Sequence, residues 1–154
     1  MSTPCIDIHS HFFPRNAPDF ARKFGARSGP WVTLHDHGDG TGMMMLGDKP
    51  FRPVHSALWD TAARLAEMDA SHVETQIICA TPVMFAYDAP AVEAAHVAAS
   101  YNDLAREFCA PSGGRIRASL CAGSLPTAVS SSTGDSLHRQ MSRMHSRQAR
   151  ARMP

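Results

Sequence analysis

Cys5-Ile6-Asp7-Ile8-His9-Ser10-His11-Phe12-Phe13-Pro14-Arg15, or CIDIHSHFFPR, runs from an alternating, β-branched stretch into two histidines two residues apart. Ile6 and Ile8 in this alternation predict a short buried strand ending near His11. Successive strand side chains point to opposite faces, so His9 and His11 face the same way. Two imidazoles fixed on one face supply two of the three or four donors that zinc or a similar divalent ion requires. A bare His-x-His also arises by accident as a polar strand end. Here the pair closes an apolar strand, follows Asp7, and leads into an aromatic loop containing Pro14.

Further along, Trp31 to Val54 contains the extended-looking pieces WVTLHDH, GMMMLGD and PFRPV. They are separated by Gly38-Asp39-Gly40 and Gly47-Asp48-Lys49-Pro50, the turn chemistry of small antiparallel hairpins, so an insertion at about 30–57 is expected. Asp60 can cap a helix through about Ala70, with Ala62, Leu65, Ala66 and Met68 as its apolar face and Arg64 and Glu67 as its polar one. VETQIICAT follows as a buried strand around Val73, Ile77, Ile78 and Cys79. Pro90 to Ala110 reads as a second helix, with Val97, Tyr101, Leu104 and Phe108 on one stripe, stopped by Pro111-Ser112-Gly113-Gly114. RIRASLCAG then gives a third strand. Strand, helix, strand, helix, strand argues for parallel βαβ units with function at the carboxyl ends of the strands, where His11 and the segment Thr81 to Phe85 lie.

Composition sets the outer limits. The 154 residues are 44% hydrophobic and 19% charged, enough for one domain with a core. No apolar run approaches a bilayer span, and Met-Ser-Thr-Pro lacks the features of a signal peptide, so a cytoplasmic, non-membrane protein is expected. Cys5, Cys79, Cys109 and Cys121 have no C-x-x-C spacing and read as reduced thiols, which makes cysteine ligation of zinc an unfavoured reading. Residues 1–114 carry eight basic and thirteen acidic side chains, whereas residues 115–154 carry seven arginines against Asp135 alone. The last aromatic residue is Phe108. This break divides an ordered region at 1–122 from an Arg/Ser-rich, disordered tail at 123–154.

IDIHSHFFP resembles the first-strand metal motif of the amidohydrolase superfamily. With FRPVHSALWD at Phe51 to Asp60, EMDASHVETQIICATPVMFAY at Glu67 to Tyr87 and YNDLAREF at Tyr101 to Phe108, the chain resembles the 2-amino-3-carboxymuconate-6-semialdehyde decarboxylase family within it, from about Ile6 to Arg117. The resemblance implies a metal-dependent carboxy-lyase of tryptophan (kynurenine) or nitrobenzoate catabolism. It implies zinc held by His9 and His11, Arg52 on a substrate carboxylate, and no organic cofactor. Its partners would be a small-molecule substrate and, in full-length members, a second subunit in a homodimer. An always-charged guanidinium suits a carboxylate, although Arg52 taken alone is a solvated hairpin charge. Met84 and Phe85 would line a pocket or simply pack. His35, His37, His55, His72 and His96 have no matching role and read as surface or structural residues. The fold implied is α/β: a (β/α)8 barrel of the amidohydrolase type with a small antiparallel hairpin insertion.

A complete (β/α)8 barrel takes about 250 residues, so 154 residues imply an incomplete one. The family's later metal ligands and acid/base histidine have no counterpart, since His138 and His145 fall in the tail, and the catalytic residue is unknown. Thirteen arginines against two lysines is the usage of a GC-rich gene, and the sequence after about Ala118 fits out-of-frame translation. The expectation is therefore a truncated enzyme region that is inactive alone. Alternatives are another amidohydrolase-superfamily decarboxylase or hydrolase, or a non-catalytic fragment whose basic tail binds a polyanion. The absence of aromatics in that tail disfavours nucleic acid.

Overall fold

The computed structural model describes residues 4–25 and 31–120. Its elements, in chain order, are β1 (Cys5–Phe12), α1 (Phe20–Phe24), β2 (Val32–Asp36), β3 (Thr41–Leu46), β4 (Lys49–His55), α2 (Thr61–Ala70), β5 (Val73–Ala80), α3 (Ala91–Cys109) and β6 (Ile116–Ala118). Two sheets result, one parallel in the order β1-β5-β6 and one antiparallel in the order β2-β3-β4. The described strands and helices agree with the alternation expected from the sequence. The tail at 123–154, with His138 and His145, lies outside the described residues, as does Cys121.

Parallel pairing brings Ser10, His11 and Phe12 of β1 opposite Ile78, Cys79 and Ala80 of β5, while Gln76, Ile77 and Ile78 face Ile116, Arg117 and Ala118 of β6. α2 starts where expected: the Asp60 carboxylate accepts the Ala63 amide at 2.9 Å, satisfying one of the free donors of the first turn. On α3 the residues Val97, Tyr101, Ala105 and Phe108 are buried, following the helical period read from the sequence. Gly113 and Gly114, at φ 61° and 87°, turn the chain back into β6 in a region that residues with a Cβ rarely enter. Phe12, Phe13, Phe20, Met68, Ile78, Val97 and Ile116 form the heart of the core, each burial worth about 1.5–3 kcal/mol for side chains of this size.

Two expectations are corrected. β1 is not a buried strand: Ile6 and Ile8 are 58% and 78% exposed. β1 is the edge of its sheet, pairing with β5 alone among the described residues, and no described element covers its Ile6 and Ile8 side chains. On α2, Ala62 and Ala66 face solvent while Arg64 is buried, 7% exposed, between half-buried Thr61 and Leu65 and buried Met68. The inward stripe is therefore rotated from the one the residue types alone suggest. α1, absent from the sequence reading, is a single capped turn whose Phe20 lies 5.5 Å from the ring of Tyr101 and 5.7 Å from that of Trp31.

Candidate metal centre

At the carboxyl-terminal half of β1 the rings of His9 and His11 lie 5.2 Å apart, edge to face, as two donors on one side of a strand should. The strand beneath them is held by a chain of polar contacts. The His9 amide donates to Asp7 Oδ1 at 2.9 Å, and Gln76 Nε2 donates to Asp7 Oδ2 at 2.8 Å. Gln76 Oε1 in turn accepts from the Arg64 guanidinium at 2.9 Å. Arg64 also donates to the Ser10 hydroxyl at 2.7 Å, the His11 carbonyl at 2.6 Å and the Ala57 carbonyl at 2.7 Å, with its guanidinium 5.6 Å from the Phe108 ring. One buried cation thus ties β1 to β5, to α2 and to the turn preceding α2.

Charge in this neighbourhood follows from those contacts. The His9 amide, and then the Gln76 amide, hold the Asp7 carboxyl below the ordinary carboxylate range by stabilising its anion. Burial first, and the neighbouring His9 second, push the His11 imidazole below its ordinary value, so its neutral form is favoured. A neutral imidazole is the form that ligates a metal. His11 also meets Cys79 of β5, whose sulfur lies 3.2 Å from Nδ1; burial raises that thiol.

The sequence-derived site residues are only partly brought together. His9 and His11 share a face, and their nitrogens match the donor preference of zinc. Among the described residues, no three His, Cys, Asp or Glu side chains are placed to share one ion. Arg52 lies on β4 opposite Met44, exposed, with its guanidinium 5.7 Å from the Phe51 ring. Met84 is buried in the core, and with Phe85, Cys79, Tyr87, Tyr101 and Leu120 it borders a cavity of about 650 Å³. The lining of that cavity includes none of His9, His11 and Arg52. Of the other histidines, His55 meets Glu67 at 3.2 Å, the His37 ring bonds to Thr41, and His35 stacks edge-on against His37.

Arg64, Gln76 and Cys79 are the residues that sequence reasoning missed. For Arg64 a signal exists: it lies four residues before Met68 and one before Leu65, on the stripe that turns inward. Gln76 and Cys79 carry no such signal, because their partners come from β1, about seventy positions away in sequence.

Comparison with known proteins bears on this arrangement. Over 134 residues, 87% of its length, the chain is 33% identical to a 2-amino-3-carboxymuconate-6-semialdehyde decarboxylase of Dictyostelium discoideum. A Caenorhabditis elegans protein of the same name is 40% identical over 98 residues. The chain is a relative of the 2-amino-3-carboxymuconate-6-semialdehyde decarboxylases over part of their length. It covers 36% of the first of these relatives and 24% of the second. No protein-family model matches the chain.

Among solved structures, the apo IDCase of Metarhizium anisopliae superposes with a TM-score of 0.53 at 19% identity, covering 76% of this chain and 34% of that one. An amidohydrolase of Mycobacterium avium subsp. paratuberculosis gives 0.50 at 16% identity, covering 78% and 43%. These likenesses establish the fold, a partial TIM-barrel-like α/β arrangement.

Proposed function

We propose that the chain carries strand–helix units of a zinc-dependent, non-oxidative decarboxylase of 2-amino-3-carboxymuconate-6-semialdehyde, an enzyme of tryptophan catabolism in the cytoplasm. The observation carrying this reading is the His9 and His11 ring pair, 5.2 Å apart at the end of β1, in a chain related to such decarboxylases. His9 and His11 are read as two metal ligands and Arg52 as the partner of a substrate carboxylate. When bound, zinc supplies a Lewis acid that lowers the pKa of water toward neutrality.

The chain's own residues prepare for that ion. Asp7 and Arg64 fix the backbone on either side of the imidazoles, and burial lowers the His11 pKa, which favours the neutral form. Arg52, permanently cationic and exposed on β4, is free to form a bidentate pair with a carboxylate. The antiparallel sheet is then an insertion beside the barrel units, and in the whole enzyme two subunits form a homodimer.

The described residues supply two imidazoles to this site, half of a four-donor set, and each missing ligand removes affinity and geometry together. The purified 154-residue chain is therefore expected to bind zinc weakly, through His9 and His11, and to show no decarboxylation above background. A zinc titration alongside a turnover assay tests this. Loss of the residual binding in His9→Ala supports the ligand assignment, and unchanged binding removes it. Stoichiometric zinc with measurable turnover would show that further ligands are supplied within the chain or by a second copy.

A further inference from the structure

We propose that the outward face of the antiparallel sheet carries a binding site for copper(I), formed by His35 and His37 of β2 and Met43 of β3. The site is separate from the His9 and His11 pair and does not depend on how that pair is read.

Alternation along β2 turns Val32 and Leu34 toward the core and leaves His35 and His37 exposed on the opposite face. Their rings lie 5.4 Å apart, edge to face, close enough for one ion to sit between them at metal–nitrogen distances of about 2.0 Å. The Nδ1 of His37 lies 3.0 Å from the Thr41 hydroxyl, which holds that ring in place and leaves Nε2 for an ion. The third donor comes from β3. Met44 turns inward, 1% exposed, whereas Met43 is half-buried on the outer face, and the antiparallel register sets it directly opposite His35. Side chains directly opposite have Cβ atoms about 4.5–5.5 Å apart, and the diagonal neighbour, here His37, stays within reach of a long side chain. Three rotatable bonds let the thioether swing to a shared ion.

The donor set selects the ion. Thioether sulfur favours copper(I), and it is not among the usual donors of zinc. The harder donors nearby are committed elsewhere. Asp36 points to the other side of β2, where it pairs with Arg15 at 2.8 Å and accepts the Gly38 amide at 2.9 Å. Asp39 accepts the Thr41 amide at 2.9 Å and the Thr41 hydroxyl at 2.6 Å. Two imidazoles and one thioether are what this face presents.

The test is NMR on the full chain, labelled with 13C-methyl-methionine and 15N-histidine and titrated anaerobically with copper(I) against a competing chelator. The four cysteines and the His9 and His11 pair are also open to metal, so the readout is site-resolved. Met43→Leu assigns the Met43 methyl signal, and His35→Gln and His37→Gln assign the two rings. The expected result is that the Met43 methyl and both ring signals move along one binding curve. Met43→Leu, which keeps the volume but not the sulfur, should weaken copper(I) binding at these rings by about 10-fold or more. Zinc binding at the same rings should be unchanged in that variant, and Met45→Leu should alter neither metal. A Met43 methyl signal that stays still while the rings move overturns the proposal, and so does copper(I) binding unaltered in Met43→Leu. Equal weakening of zinc and copper(I) in Met43→Leu also overturns it, because a lost thioether affects only the softer ion. Should Met43→Leu not fold, Met43→Gln assigns the methyl signal, and its movement or stillness in the unmodified chain decides.

Discussion

The parallel sheet of β1, β5 and β6 and the antiparallel sheet of β2, β3 and β4 keep their strands in register by opposite means. In the antiparallel sheet the devices are local. Asp36 accepts the Gly38 amide, Asp39 accepts the amide and hydroxyl of Thr41, and Gly38, Gly40 and Gly47 adopt positive φ in the connecting turns. In the parallel sheet the devices reach across the sequence: Arg64 to Ser10 and His11, Gln76 to Asp7, Thr81 to the Phe12 carbonyl. Turn chemistry sets a register cheaply but positions nothing beyond its own hairpin. Long-range polar contacts demand burial, and in return they fix a functional strand against its neighbours. The two candidate zinc ligands lie on the sheet built the second way.

The most severe way to break this contrast is Arg64→Met. It keeps the apolar stem but leaves the Ala57 and His11 carbonyls, Ser10 and Gln76 without their shared donor. A loss of about 3 kcal/mol is expected, read as a lower midpoint in urea denaturation, and Arg64→Lys should recover little because an ammonium cannot span the fork. An unchanged midpoint would show that the guanidinium is not what ties β1 to α2.

The antiparallel side is probed at Gly42, where an added Cβ would come within 3.0 Å of both the His35 carbonyl and the Trp59 ring. Gly42→Ala is expected to cost about 1–2 kcal/mol and to move the Trp59 fluorescence, while the His9 and His11 signals stay where they are. If those signals shift, the two sheets are coupled more closely than their contacts indicate.

The smallest effect concerns acid. Because the folded-state pKa of Asp7 lies below its ordinary value of 3.8, its contribution to stability is fully present above that value and is lost as the pH falls through the lower folded-state one. Asp7→Asn should therefore flatten the acid limb of a stability-against-pH curve and leave the curve near neutrality almost unaltered in shape. An acid limb of undiminished slope would assign it to other carboxylates.

How much of this is legible in the sequence depends on how far a signal must travel. The alternation at Ile6 and Ile8, the cap at Asp60, the stripe from Val97 to Phe108 and the glycine turns are local, and each corresponds to an element that is present. The His9 and His11 pairing is legible for the same reason, since one strand fixes both. What escapes is tertiary. The exposure of Ile6 and Ile8 depends on which elements cover β1, and α1 is too short to establish a period. The burial of Arg64 is masked by its charge, and the Cys79 contact depends on a register that no local pattern encodes. Whether Arg52 serves the histidine pair likewise turns on the placement of one sheet against the other, which residue spacing along β4 does not set.

The separation between β1 and β5 also implies an order of assembly. Sixty residues lie between the end of β1 and the start of β5, and within them β2, β3 and β4 form a unit that closes through short turns. Hairpins form in about 1–10 μs, while pairing of distant strands must wait on chain closure. A preformed hairpin unit shortens the effective loop, but closure entropy grows only logarithmically with length, so the gain is roughly 0.5 kcal/mol. β1 thus joins late, and the imidazole pair it carries acquires its neighbours only when the slowest contact in the fold is made.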